Sequence, residues 1–150
     1  MPIATKSSKY NISKESDTAS VAKKISTLVK KGDVLFFYGE IGVGKTTFVR
    51  HLINNIQKSN KLRLTEVPSP TFNLLNEYEV EELLIQHYDL FRLKSTNEIE
   101  NIGLLENHNN ALTLVEWPEK IKKKPKNRIE LIFKYKSRSD QRFLKINDFR

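Results

Sequence analysis

The chain has 150 residues, 38% of them hydrophobic and 29% charged, which fits one soluble globular domain with a single core. It contains no cysteine, so disulfides, thiolate zinc sites and thiol chemistry are excluded. No apolar run reaches the roughly 18 residues that cross a bilayer, and the segment from Met1 to Lys6 lacks the apolar stretch of a secretion signal; a cytoplasmic protein without a membrane partner is the expectation.

The formal charge of +8 is unevenly spread. Residues 1–119 carry 14 Lys/Arg against 15 Asp/Glu, whereas residues 120–150 carry 12 against 3. Such a tail suits an acidic partner or RNA, or is a solvated face. Lys122-Lys123-Lys124 lacks the interleaved aromatics of a single-strand stacking surface.

In chain order, Asp17 to Val29 reads as a helix, with Val21, Ile25, Leu28 and Val29 on one face and Gly32 placed to end it. Val34-Leu35-Phe36-Phe37 is the continuous apolar run of a strand covered on both faces. A glycine-bearing loop follows, then a helix from Lys45 to Gln57 with Phe48, Val49, Leu52, Ile53 and Ile56 inward. Leu74 to Val80 and Leu84 to Leu90 are predicted strands joined across Glu81-Glu82. Ser95-Thr96-Asn97-Glu98 has the capping-box form and opens a helix through Ile99, Ile102 and Leu105. Ala111 to Val115 is another buried strand. Ile129, Leu131, Phe133 and Tyr135 alternate as in a strand with one wet face, and Arg142 to Asn147 can pair with it. The expected architecture is α/β, a P-loop-type central sheet, mixed but mostly parallel, flanked by helices. Some antiparallel pairing follows from links too short for helical crossovers. No repeat or linker divides the chain, so residues 1–150 are read as a single domain, with the basic strands of 120–150 part of it.

Gly39-Glu40-Ile41-Gly42-Val43-Gly44-Lys45-Thr46 fits the P-loop pattern, with Thr47 following, and a predicted strand and helix flank it as the mechanism requires. Glycines let successive backbone N–H groups turn inward and approach phosphate oxygens. The helix beginning near Lys45 adds its positive end. Lys45 is expected to reach the β- and γ-phosphates of a nucleotide, and the Thr46 hydroxyl to ligate Mg²⁺. Asp89-Leu90-Phe91-Arg92 and Asn60-Lys61-Leu62-Arg63 both fail the GTPase base-reading and switch patterns, so ATP is favoured over GTP. A P-loop enzyme also needs a second contact to Mg²⁺ and a group that orients the attacking oxygen. Asp89 and Glu116 each end a predicted strand, at the carboxyl edge where open α/β sheets bind ligands.

Four blocks occur in order: the loop Gly39 to Thr47, Ser69-Pro70-Thr71-Phe72, His87-Tyr88-Asp89-Leu90-Phe91-Arg92-Leu93, and Val115-Glu116-Trp117-Pro118. Together they resemble the TsaE (YjeE) family, the small bacterial ATPases of tRNA threonylcarbamoyladenosine synthesis, over about residues 15–135. The resemblance implies that Thr71 lies in a switch-like loop near the γ-phosphate. It implies that Asp89 and Glu116 serve the Mg²⁺ and the attacking water. Glu116 is expected to position water, directly or through the metal, and Asp89 to contact the metal or its surroundings. Trp117 is placed close to the nucleotide, or else is an ordinary packed tryptophan. His87 reads either as a base or, since it shares Asp89's strand face, more readily as a satisfied structural histidine, and Arg92 as either a transition-state charge or an acid's partner. Residues 13–18 are expected to help hold the adenine. Phe91 stands where the family usually shows tyrosine.

The implied function is an Mg²⁺-dependent ATPase, weak alone, that supports threonylcarbamoylation of adenosine 37 of tRNA. It would act on the TsaB–TsaD pair and meet tRNA through that pair. The competing readings are a small-molecule P-loop kinase, which usually carries an arginine-bearing lid absent between Arg63 and Arg92, and an ATP-gated RNA-binding module using the basic tail.

Overall fold

The computed structural model describes residues 6–106, 108–136 and 140–150. Met1 to Thr5, read above for a secretion signal, lie outside them. Strands β1 (Lys6–Asn11), β2 (Val34–Tyr38), β3 (Leu75–Val80), β4 (Leu83–Asp89), β5 (Ala111–Glu116), β6 (Ile129–Tyr135) and β7 (Arg142–Asp148) form one sheet in the order β1-β7-β6-β2-β5-β4-β3. Helices α1 (Glu15–Ser26), α2 (Lys45–Ser59) and α3 (Thr96–Asn101) complete the described elements, with two short 3-10 turns.

Hydrophobicity sorts the strands. Val34 to Phe37 are all buried, as are Ala111 to Glu116, and these two strands occupy the middle, where both faces are covered. β6, β2, β5 and β4 run parallel. The flanking joints β6–β7, β7–β1 and β4–β3 are antiparallel, so five of the seven strands point one way. The edge strands are polar: β1 reads Lys-Ser-Ser-Lys-Tyr-Asn and β3 Leu-Asn-Glu-Tyr-Glu-Val, and charged edges discourage pairing with a second sheet.

Two apolar layers follow from the alternation of side chains across strands. On one face α1 and α2 pack over Leu35, Phe37, Leu112, Leu114, Leu131 and Phe133. Phe48 of α2 sits 5.8 Å, ring to ring, from both Phe37 and Phe133. On the other face Val34, Phe36, Tyr88 and Val115 pack under α3 and the turns around it. Among the described residues, no helix is long and apolar enough to cross a membrane.

Several predicted boundaries shift. α1 begins two residues earlier than expected and stops at Ser26, capped by Thr27. Gly32 therefore does not end it; its N–H instead donates to Ala111 O at 2.8 Å, locking the turn into β2. The capping box at Ser95 forms, the Glu98 N–H donating to Ser95 Oγ at 3.3 Å. The helix it opens is only six residues long, and Ile102 and Leu105 lie in the turns beyond it. β1 has no counterpart in the sequence reading, because a polar edge strand has no apolar run to announce it.

Candidate functional site

β2, β4 and β5 are parallel, so their carboxyl ends open on one edge of the sheet. β2 delivers the loop Gly39 to Gly44 there, β4 delivers Asp89 and β5 delivers Glu116. β7 runs antiparallel to β6 with Arg142 paired to Tyr135, so Arg142 starts its strand on this same edge. A cleft of about 340 Å³ lies between these ends.

The loop wraps tightly. Gly39 packs so close to β6 that a Cβ there would stand 2.9 Å from Phe133 O and 2.8 Å from Val43 Cγ1. Val43 turns its side chain into the core, so it can serve a ligand only through its backbone. Glu40 faces solvent, and its carbonyl accepts from Val43 N at 3.3 Å. Ile41, Gly42, Gly44, Lys45, Thr46 and Thr47 line the cleft. Gly44 takes φ 117 immediately before α2, leaving the first amides of a 15-residue helix facing the cleft. α1 has Glu15 and Asp17 in its first turn, whereas α2 has no acid there; its positive end is left for a ligand.

Lys45 is almost fully buried. Its Nζ donates to Gly39 O at 2.5 Å and stands 3.7 Å from the centre of the Trp117 ring. Burial holds this ammonium below the usual lysine range, against the opposing pull of Glu116, Glu119 and Asp89. A desolvated cation with one hydrogen bond is set to accept an anion. Trp117 adopts φ 62 at the end of β5, which turns its ring over Lys45 and against Phe91, 5.0 Å away.

The two acids have different surroundings. Glu116 is 2% exposed. The Thr46 hydroxyl lies 2.9 Å from its Oε1 and 3.1 Å from its Oε2, while His87 Nε2 lies 2.6 Å from Oε2. Asp89 instead anchors a loop: Oδ2 accepts from Thr71 Oγ1 at 3.1 Å and Ser69 Oγ at 3.2 Å, and Oδ1 from Phe91 N at 3.0 Å. A hydroxyl and a carboxylate side by side, at the mouth of a phosphate-sized loop, are hard oxygen donors suited to Mg²⁺. Among the described residues no cluster of three or more His, Cys, Asp or Glu forms a self-sufficient metal cage. Mg²⁺ is usually held by one or two carboxylates plus substrate phosphates; Thr46 and Glu116 would be the protein's share of such a set.

Lys45, Thr46, Thr47, Thr71, Asp89, Glu116 and Trp117 thus share one cleft. Three other residues or segments named from the sequence have different surroundings. Arg92 donates to Phe72 O at 2.6 Å from an exposed position and is not among the residues that line the cleft. His87 is fully buried, as a structural histidine would be, and touches Glu116 directly. Residues 13–18 do not line the cleft; Ser13 reaches it only through the backbone of Arg142, whose N–H donates to Ser13 Oγ at 3.1 Å.

Arg142, read from sequence only as the start of a strand, was not expected at the site. Its Nη1 donates to Val43 O at 3.1 Å, its guanidinium lies over the Tyr135 ring, and its buried Nε has no hydrogen-bond partner among the described residues. Nothing local marks it among the basic residues of the tail; only the β6–β7 pairing carries it to the loop. Ser69, quoted in a motif but given no role, joins Thr71 on Asp89.

Comparison with known proteins gives the chain a family. The model of the family described as threonylcarbamoyl adenosine biosynthesis protein TsaE matches residues 12–144. A tRNA threonylcarbamoyladenosine biosynthesis protein TsaE from Rickettsia felis is 40% identical over 111 residues, which span 74% of this chain and 63% of the relative; the chain thus spans under two thirds of that relative's length. The protein of the same name from Bacillus subtilis is 35% identical over 121 residues, 79% of this chain and 72% of the relative. The crystal structure of Bacillus subtilis YdiB superposes with a TM-score of 0.70 at 25% identity, covering 97% of this chain and 87% of that one. With a matching family model over most of its length and relatives above 30% identity, the chain belongs to the TsaE family of threonylcarbamoyl adenosine biosynthesis proteins.

Proposed function

We propose that the chain is an Mg²⁺-dependent ATPase of tRNA threonylcarbamoyladenosine formation. The observation that carries the reading is the meeting of Thr46 with Glu116 beside a buried, singly bonded Lys45. That arrangement offers a phosphate loop, a lysine and a two-oxygen cation site within one cleft.

Each residue has a distinct task in this account. Amides of Gly42 to Thr47 and the end of α2 receive the phosphates, and Lys45 exchanges its Gly39 carbonyl for a phosphate oxygen. Thr46 and Glu116 would hold the cation, which would supply positive charge against that developing on the phosphates. Asp89 fixes Ser69 and Thr71, so the loop carrying them is oriented toward the cleft. Trp117 and Phe91 wall the site beside Lys45, and Arg142 supplies a second positive charge at the loop. The relatives are named for tRNA threonylcarbamoyladenosine biosynthesis; the reading transfers that role to this chain. The protein would act on the TsaB–TsaD pair, meet tRNA through it, and reset it between turnovers in the cytoplasm.

The test is phosphate release from ATP, with and without the TsaB–TsaD pair and tRNA. Slow release alone and strong stimulation by the pair are expected. Phosphate retained on an acceptor would make the protein a kinase, and a rate indifferent to the pair would remove the proposed context.

A further inference from the structure

His87 lies on β4 between Ile85 and Asp89, all three facing the α2 side of the sheet. Its side chain is 0% exposed. Nε2 sits 2.6 Å from Glu116 Oε2, while Nδ1 is buried with no hydrogen-bond partner among the described residues. The contact crosses the parallel joint diagonally, since the residue paired with His87 is Leu114 and the residue paired with Glu116 is Asp89.

The short contact with the Glu116 carboxylate points to a hydrogen on Nε2. A ring hydrogen on Nδ1 would bury a donor without an acceptor and set the Nε2 lone pair against a carboxylate oxygen. With the hydrogen on Nε2, the short contact is a donated hydrogen bond, and the unmet atom is an acceptor. The bond occupies Oε2 of Glu116, whose Oε1 keeps the shorter of the two contacts with Thr46. Without it the buried carboxylate would retain only one hydroxyl partner and could turn away from the loop.

We infer that His87 is a positioning residue: its Nε2–H aims the Glu116 carboxylate at the Thr46 hydroxyl and so pre-forms the cation site. The inference rests on the reading that Thr46 and Glu116 receive Mg²⁺ with the nucleotide. It differs from a space-filling role because it needs a donor at one atom, not an aromatic volume.

Trp117 is the only tryptophan and lies over Lys45, so its fluorescence reports occupancy without turnover. ADP and then Mg²⁺ are titrated into wild type, His87→Gln, which keeps an N–H donor, and His87→Leu, which removes it. In His87→Leu the Mg²⁺ affinity is expected to fall about 10- to 100-fold, as for other partners of metal-binding groups. Metal-free ADP binding is expected to stay unchanged, and His87→Gln to recover most of the loss. Equal Mg²⁺ affinity in wild type and His87→Leu overturns the positioning role alone. Equal loss in both variants assigns His87 a shape role and overturns it too. No Mg²⁺ response in wild type overturns the site reading underneath. Nitrogen NMR of the wild-type imidazole gives a readout independent of how the variants fold: the Nε2–H tautomer is expected, and the Nδ1–H tautomer refutes the inference.

Discussion

Replacing Gly39 with alanine separates the architecture of the loop from its chemistry. A Cβ at Gly39 would stand 2.8 Å from Val43 Cγ1, 2.9 Å from Phe133 O and 3.0 Å from Phe133 Cβ, at φ +151. Phe133 lies within the central strands, so its carbonyl cannot retreat without breaking the β6 ladder. Overpacking of this kind costs about 1–3 kcal/mol, and an L-residue held at positive φ adds about 1–2 kcal/mol. Gly42 is the control: its Cβ would meet only Tyr135 Oη at 3.8 Å, at φ +80, so it incurs the backbone cost alone. For a chain of this size each kcal/mol moves the melting temperature by about 2–4 °C. Gly39→Ala is therefore expected to melt about 10 °C below wild type and Gly42→Ala about 4 °C below. Urea unfolding of both variants measures the difference directly. Equal losses would refute the reasoning, because they would show that β6 yields to the loop.

Three other outcomes follow from particular contacts. Phe48→Ala removes a ring wedged between Phe37 and Phe133; urea unfolding should show a loss of about 3–5 kcal/mol. Arg142→Met removes the charged donor on Val43 O; ATP affinity by calorimetry should fall about tenfold, or about 1.4 kcal/mol, while the melting temperature changes little. Asp148 is held below the ordinary carboxyl range first by its hydrogen bonds from the Arg150 side chain. A depressed folded value means this stabilisation is present above about pH 4 and lost as the pH falls through the folded value. The stability gap between wild type and Asp148→Asn should shrink on acidification, and a gap that widens would reverse the sign.

What the sequence made legible is the part of the fold written in contiguous residues. The buried runs Val34 to Phe37 and Ala111 to Val115 declare central strands, and the loop between Gly39 and Thr46 declares its helix. Asp89 and Glu116 were readable as neighbours because both end strands of one parallel set. What stayed hidden depends on pairings distant along the chain. The pairing of β7 with β6 was expected, but not that its end beside Tyr135 lies against the P-loop and so brings Arg142 to Val43. The bond from His87 to Glu116 crosses a joint that no local pattern specifies. β1 is polar at both faces, so it carries neither periodicity nor a run. The different partners of the two acids were equally out of reach, because a strand-end carboxylate looks the same whether a threonine of the P-loop or a serine-threonine loop comes to meet it.

The central claim, an ATP hydrolase that resets a tRNA-modifying pair, meets its most direct test in reconstituted modification. Purified TsaB–TsaD, tRNA, an activated threonylcarbamoyl donor and ATP are mixed with a catalytic amount of wild type, Lys45→Ala or Glu116→Gln, and modified adenosine is counted per TsaB–TsaD pair. The account predicts many modifications per pair with wild type and no more than a single turnover with either variant. Multiple turnover sustained by Lys45→Ala would contradict it.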